Sequence, residues 1–126
     1  MESLELAKAA AAAAFEKKAK RVLIYNVNGV SDIADYQVIC SGDNERQTRA
    51  IAEAIMEKCK KTYKVIPSMI EGQKSGHWIL VDYGPVIIHV FFDYIRDYYA
   101  LEELWAKGQR VSTIGLDPQP AESQPS

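Results

Sequence analysis

The chain has 126 residues, enough for one domain of ordinary size, with little room for a second. Hydrophobic residues make up 48% and charged residues 25%, which excludes a wholly disordered chain and lets a core form without disulfides or metal. A formal charge of −2 and a pI near 5.7 give no global positive field, so neither strong direct nucleic-acid binding nor attachment to an anionic membrane is expected.

Ser3 to Lys20 reads as a helix, because alanine costs least in a helix, Ser3 is placed to cap it and Glu5 suits its positive end. Leu4, Ala7, Ala11, Ala14, Phe15 and Lys18 line one stripe, with Phe15 its only large anchor. Glu2, Glu5 and Lys8 interrupt the apolar N-terminus before a signal-peptide core can form. No segment approaches the roughly 20 apolar residues that span a bilayer, so the expected location is the cytosol. Arg21 to Val27 turns to β-branched and aromatic residues and stops at Asn28-Gly29, and Tyr36 to Cys40 is a second strand closed by Ser41-Gly42. Their near-continuous apolar character points to a sheet covered on both faces.

Asn44 to Lys61 is an amphipathic helix in which Asn44 and Gln47 have capping-box spacing. Ala50, Ile51, Ala54, Ile55 and Cys59 form its buried stripe. Glu45 and Arg49, Arg49 and Glu53, and Glu57 and Lys61 are spaced to pair on its surface. Thr62 to Ile70 is expected as a third strand, near an edge because Pro67 cannot donate to a ladder, and parallel to Tyr36–Cys40. After a polar loop at Glu71–Gly76, Trp78–Tyr83 and Val86–Phe92 form a hairpin across Gly84-Pro85. Tyr98, Leu101, Leu104 and Trp105 supply the apolar side of a last helix that Gly108 ends. The order αββαβββα implies one α/β (α+β) domain with a mixed sheet of about five strands over residues 1–111. Residues 112–126, with three of the five prolines, are expected to be a flexible Pro-rich tail.

The chemistry is sparse. His77, His89, Cys40 and Cys59 show no HExxH, no CxxC and no clustered spacing, so neither a metal site nor a cofactor is expected. Both cysteines sit among apolar residues, as buried free thiols do. Ser41 and Ser75 precede glycines but lie outside any GxSxG elbow. A nucleotidyltransferase-like nucleotide-binding protein is the enzymatic alternative. Its sheet would need a metal-holding carboxylate pair, and Asp43 and Glu45 instead open a helix, where negative charge is favourable anyway. A homodimeric scaffold burying the Tyr94–Trp105 region is a third reading. Asp82 alternates onto the face of Trp78 and Leu80, opposite a strand where His89 interrupts an apolar run. Its plainest role is a satisfied contact to His89 or to backbone. An aromatic anchor with a few polar groups around it is also the composition of a protein-binding hot spot.

Several segments together resemble the ribosomal silencing factor family (RsfS, Iojap-related). They are Asp35–Gly42, Arg46-Gln47, Ala50–Ala52, Glu71-Gly72, Gly76–Gly84, Val86–Phe91, Arg96, Tyr98-Tyr99, Leu101-Glu102 and Leu104-Trp105, in order over residues 4–106. The resemblance implies a mixed sheet related in topology to nucleotidyltransferases but without their catalytic residues, and hence no enzyme. It implies binding to the large ribosomal subunit through ribosomal protein RplN, a block on joining of the small subunit under nutrient limitation, and a capacity to form homodimers. Carried onto this chain, the family pattern puts the partner-binding surface at Trp78, Asp82, Tyr83, His89, Glu71 and Arg96. Pro85 departs from it, standing where an acidic residue is common.

Overall fold

The computed structural model describes residues 2–99, 103 and 108–117. Along the chain run α1 (Ser3–Glu16), β1 (Lys20–Asn26), β2 (Tyr36–Gly42), α2 (Glu45–Tyr63), β3 (Met69–Glu71), β4 (Trp78–Asp82), β5 (Val86–Phe92), α3 (Asp93–Tyr99) and β6 (Gln109–Val111). The strands make one mixed sheet in the order β3-β4-β5-β2-β1-β6, parallel only between β2 and β5. The α+β architecture and the β4–β5 hairpin agree with expectation. The sixth strand was not expected.

Period-two alternation gives the sheet two unlike faces. Ile24, Val38, Cys40, Ile79, Val81, Ile88 and Val90 are buried beneath α1 and α2. Ile39, Phe91 and Tyr25 point the other way, with Trp78 and with Ile95 of α3. Both cysteines are free and buried, and burial pushes the Cys40 thiol up to about 12.

Helix α1 stops at Glu16, short of Lys20, and Glu2 rather than Ser3 is its N-cap, with no side-chain hydrogen bond. Its large buried anchor is Leu6, while Phe15 is partly buried. Ala7, Ala10, Ala11 and Ala14 are fully buried, since small side chains let α1 lie close against its neighbours. In α2 the cap is as expected, Asn44 Oδ1 accepting from Gln47 N–H at 2.8 Å. The Gln47 amide also donates to the Lys17 carbonyl at 3.0 Å, tying the end of α1 to the start of α2. Buried along α2 are Thr48, Ile51, Ala52, Ile55 and Cys59, a stripe turned slightly from the expected one. Of the three expected surface pairs, Glu57–Lys61 closes at 3.1 Å, Glu45 turns to His77, and Arg49 donates to the Lys74 carbonyl.

The expected strand at Thr62–Ile70 is mostly not one. Thr62 and Tyr63 finish α2, Lys64 caps it in the left-handed region, and pairing begins only at Met69. Nor does β3 lie beside β2, because the β4–β5 hairpin stands between them and β5 is the parallel neighbour of β2. Tyr98, expected on the apolar side of the last helix, is 85% exposed, and Leu101, Leu104 and Trp105 lie outside the described residues. Residues 112–117 make a turn in which Leu116 N–H donates to the Thr113 carbonyl and Leu116 packs on the core. No helix among the described residues is long and apolar enough to cross a membrane.

Candidate partner-docking site

The site is built outward from the loop that delivers β4. Gly72 has φ +84°, and a Cβ there would sit on the Trp78 carbonyl, so only glycine lets the chain double back so closely. Gly76, at φ +74°, packs on the start of α2, where Thr48 Oγ1 donates to its carbonyl at 2.6 Å. His77 Nε2 lies 3.1 Å from Glu45 Oε2, and its carbonyl accepts from Phe92 N–H at 2.8 Å. His77 is therefore exposed, as expected, but held. These contacts fix the direction in which Trp78 enters the sheet.

Trp78 pairs with Phe91 across the hairpin, and the rings stack 5.0 Å apart at 26°. Its indole Nε1 lies 3.1 Å from His89 Nδ1, and His89 Nε2 lies 2.8 Å from Gln37 Oε1. An indole N–H can only donate, so Nδ1 must accept, the neutral ring carries its proton on Nε2, and Gln37 must present its oxygen. Burial pushes the imidazole down to about 4, which keeps it in that neutral form.

The sheet register sets Glu71 opposite Leu80 and Met69 opposite Asp82, all on the face of Trp78. Trp78, Leu80 and Asp82 are half-buried, Met69 and Glu71 are exposed, and His89 and Gln37 are buried behind them. The accessible part of the face is thus a strip along β3 and β4 with an aromatic end, an apolar middle and two carboxylates. Asp82 meets backbone rather than His89, its Oδ1 accepting from Gly84 N–H at 2.7 Å and pinning the hairpin turn. The Pro85 carbonyl accepts from the N–H groups of Asp35 and Tyr36, so this turn is also tied to the start of β2.

Two expected site residues lie elsewhere. Tyr83 alternates to the helix-covered face beside Cys59, where burial pushes its phenol up. Arg96 is 1% exposed and donates from Nη1 to the Arg21 carbonyl and to Ser41 Oγ, each at 2.8 Å. It holds α3 to the sheet, helped by Arg21, which pairs with Asp93 and Asp97. Sequence reading missed Gln37 and Met69. Gln37 carries a usable signal, since it and His89 each break an otherwise apolar strand. No group of three or more His, Cys, Asp or Glu side chains stands together as a metal site among the described residues.

A family model described as "Ribosomal silencing factor during starvation" matches residues 1–126. A ribosomal silencing factor of Halalkalibacterium halodurans is 37% identical over 116 residues, covering 92% of this chain and 98% of its own. A crystal structure of a protein from Chromobacterium violaceum is similar with a TM-score of 0.81 at 34% identity, over 94% of this chain and 98% of that one. A Mus musculus protein named mitochondrial assembly of ribosomal large subunit protein 1 is 30% identical over 95 residues, 71% of this chain and 40% of its own length.

Proposed function

The chain belongs to the ribosomal silencing factor family, and on that premise we propose that it represses translation without catalysis. It binds the large ribosomal subunit in the cytoplasm through ribosomal protein RplN and keeps the small subunit from docking. The observation that carries this reading is the β3–β4 strip, where Trp78, stacked on Phe91 and hydrogen-bonded from behind, is presented beside Leu80, Met69, Glu71 and Asp82. An aromatic anchor pre-set by a buried support loses little freedom on binding, which is what slow release from a protein partner asks for. The name of the mouse relative, which refers to assembly of a ribosomal large subunit, favours the same subunit for this chain. Low net charge suits a protein landing site over indiscriminate rRNA binding.

Blocking needs no turnover. Subunit joining requires two extended surfaces to meet closely, so a folded 14.1 kDa body seated at the edge of one of them prevents it by excluded volume. Co-sedimentation with isolated large subunits tests the strip. Trp78→Ala is expected to weaken binding by more than about 1 kcal/mol, roughly fivefold, and Glu71→Lys to weaken it without touching the core. Unchanged affinity of both variants, with circular dichroism showing an intact fold, would remove this strip from the interface.

A further inference from the structure

The polar chain behind Trp78 has a direction, set by the donor-only indole N–H, and Gln37 is its terminal acceptor. Trp78 Nε1–H can be held only while His89 Nδ1 is unprotonated, and in a neutral imidazole that puts the proton on Nε2. Gln37, 5% exposed on the neighbouring strand, places its oxygen 2.8 Å from that nitrogen. Without that acceptor the buried Nε2–H loses its bond to Gln37, which weakens the hold on this tautomer and lets the proton move to Nδ1 or the ring turn. The first change sets two donors, Nδ1–H and the indole N–H, against each other, and the second takes the Nδ1 acceptor away from the indole.

We propose that Gln37 is the positioning residue of the docking strip: by accepting from His89 Nε2 it fixes the tautomer that holds the Trp78 indole, and so sets how Trp78 meets the partner. This rests on the reading of Trp78 as the anchor. Gln37 itself touches no partner. Its effect passes through His89, whose neighbours on the sheet are Trp78 and Leu80 of β4, Gln37 and Ile39 of β2, and Phe91 two residues along its own strand.

The test uses two variants and two readouts, the indole N–H resonance of Trp78, assigned with the help of Trp105→Phe, and co-sedimentation with large subunits. In Gln37→Leu the indole resonance is expected to move toward that of an unbonded indole, and large-subunit affinity to fall about fivefold or more, as for loss of an anchor. Gln37→Glu adds a readout that a purely structural residue would not move. At high pH the carboxylate accepts from Nε2–H and the variant behaves as wild type. As pH falls, the carboxylate favours the imidazolium, Nδ1 gains a proton, and both the indole bond and affinity are lost well above the pH at which the wild type responds.

An unmoved indole resonance in folded Gln37→Leu overturns the proposal, as does a Gln37→Glu protein whose indole and affinity follow the wild type at every pH. A moved indole with unchanged affinity, while Trp78→Ala binds weakly, also overturns it, because the orientation then does not matter to docking. If Trp78→Ala itself binds normally, it is the docking reading that fails, and the positioning role falls with it.

Discussion

An imidazole buried in its neutral form must be charged when the chain unfolds in mild acid, so His89 links stability to pH. Its pKa is about 4 in the fold, against about 6.5 for an unfolded histidine, so between those values the unfolded chain binds the extra proton. The contribution is complete above about pH 6.5, is lost progressively as pH falls toward 4, and changes no further below that. At most it amounts to about 3 kcal/mol. Urea unfolding at several pH values should show His89→Gln losing less stability than the wild type over this window, the carboxylates being common to both. Equal losses would mean the ring is not held neutral. At this scale the sequence was partly legible. The interruption by His89 was legible; Gln37, which breaks its strand in the same way, was not singled out, and only the register showed that the two meet. Arg96 sits in Asp93-Tyr94-Ile95-Arg96-Asp97, where nothing in the pattern marks it as interior; its burial depends on the bulged strand that turns the Arg21 carbonyl toward it.

Among the elements, the β4–β5 hairpin and α2 were readable because each is specified locally, by a turn between two apolar runs and by a cap ahead of an apolar stripe. Strand β6 was not, since Gln109-Arg110-Val111 has neither length nor alternation and owes its strand geometry to the open edge of β1. Thr62–Ile70 misled in the opposite sense. Its β-branched and aromatic residues suit a strand, but α2 runs on through Tyr63 and Pro67 delays pairing. The neighbours of β2 depend on a crossover, which hydropathy does not encode. The loop between β3 and β4 deserves a test of its own, because the position of Trp78 depends on it. Gly72→Ala should destabilise the fold by at least about 1 kcal/mol, through both a disfavoured φ and the clash with the Trp78 carbonyl. Thermal melting reads the loss, and an unchanged midpoint would mean the loop relaxes without moving β4.

For the whole molecule, the proposed function rests on size, surface and support. Two helices pack one face of the sheet, and the other carries a strip whose aromatic end is held from behind by buried polar groups. The strip is braced by these contacts where the partner would press, and nothing in the proposed action asks for a cofactor or a moving part. In the proposed function, occupancy of the large subunit alone prevents joining. The most direct measurement is light scattering of purified large and small subunits mixed at joining magnesium concentration, with the protein added first to the large subunit. The expected result is a dose-dependent loss of joined particles that saturates at one protein per large subunit and is weakened by Trp78→Ala. Full joining with the protein demonstrably bound to the large subunit would contradict it.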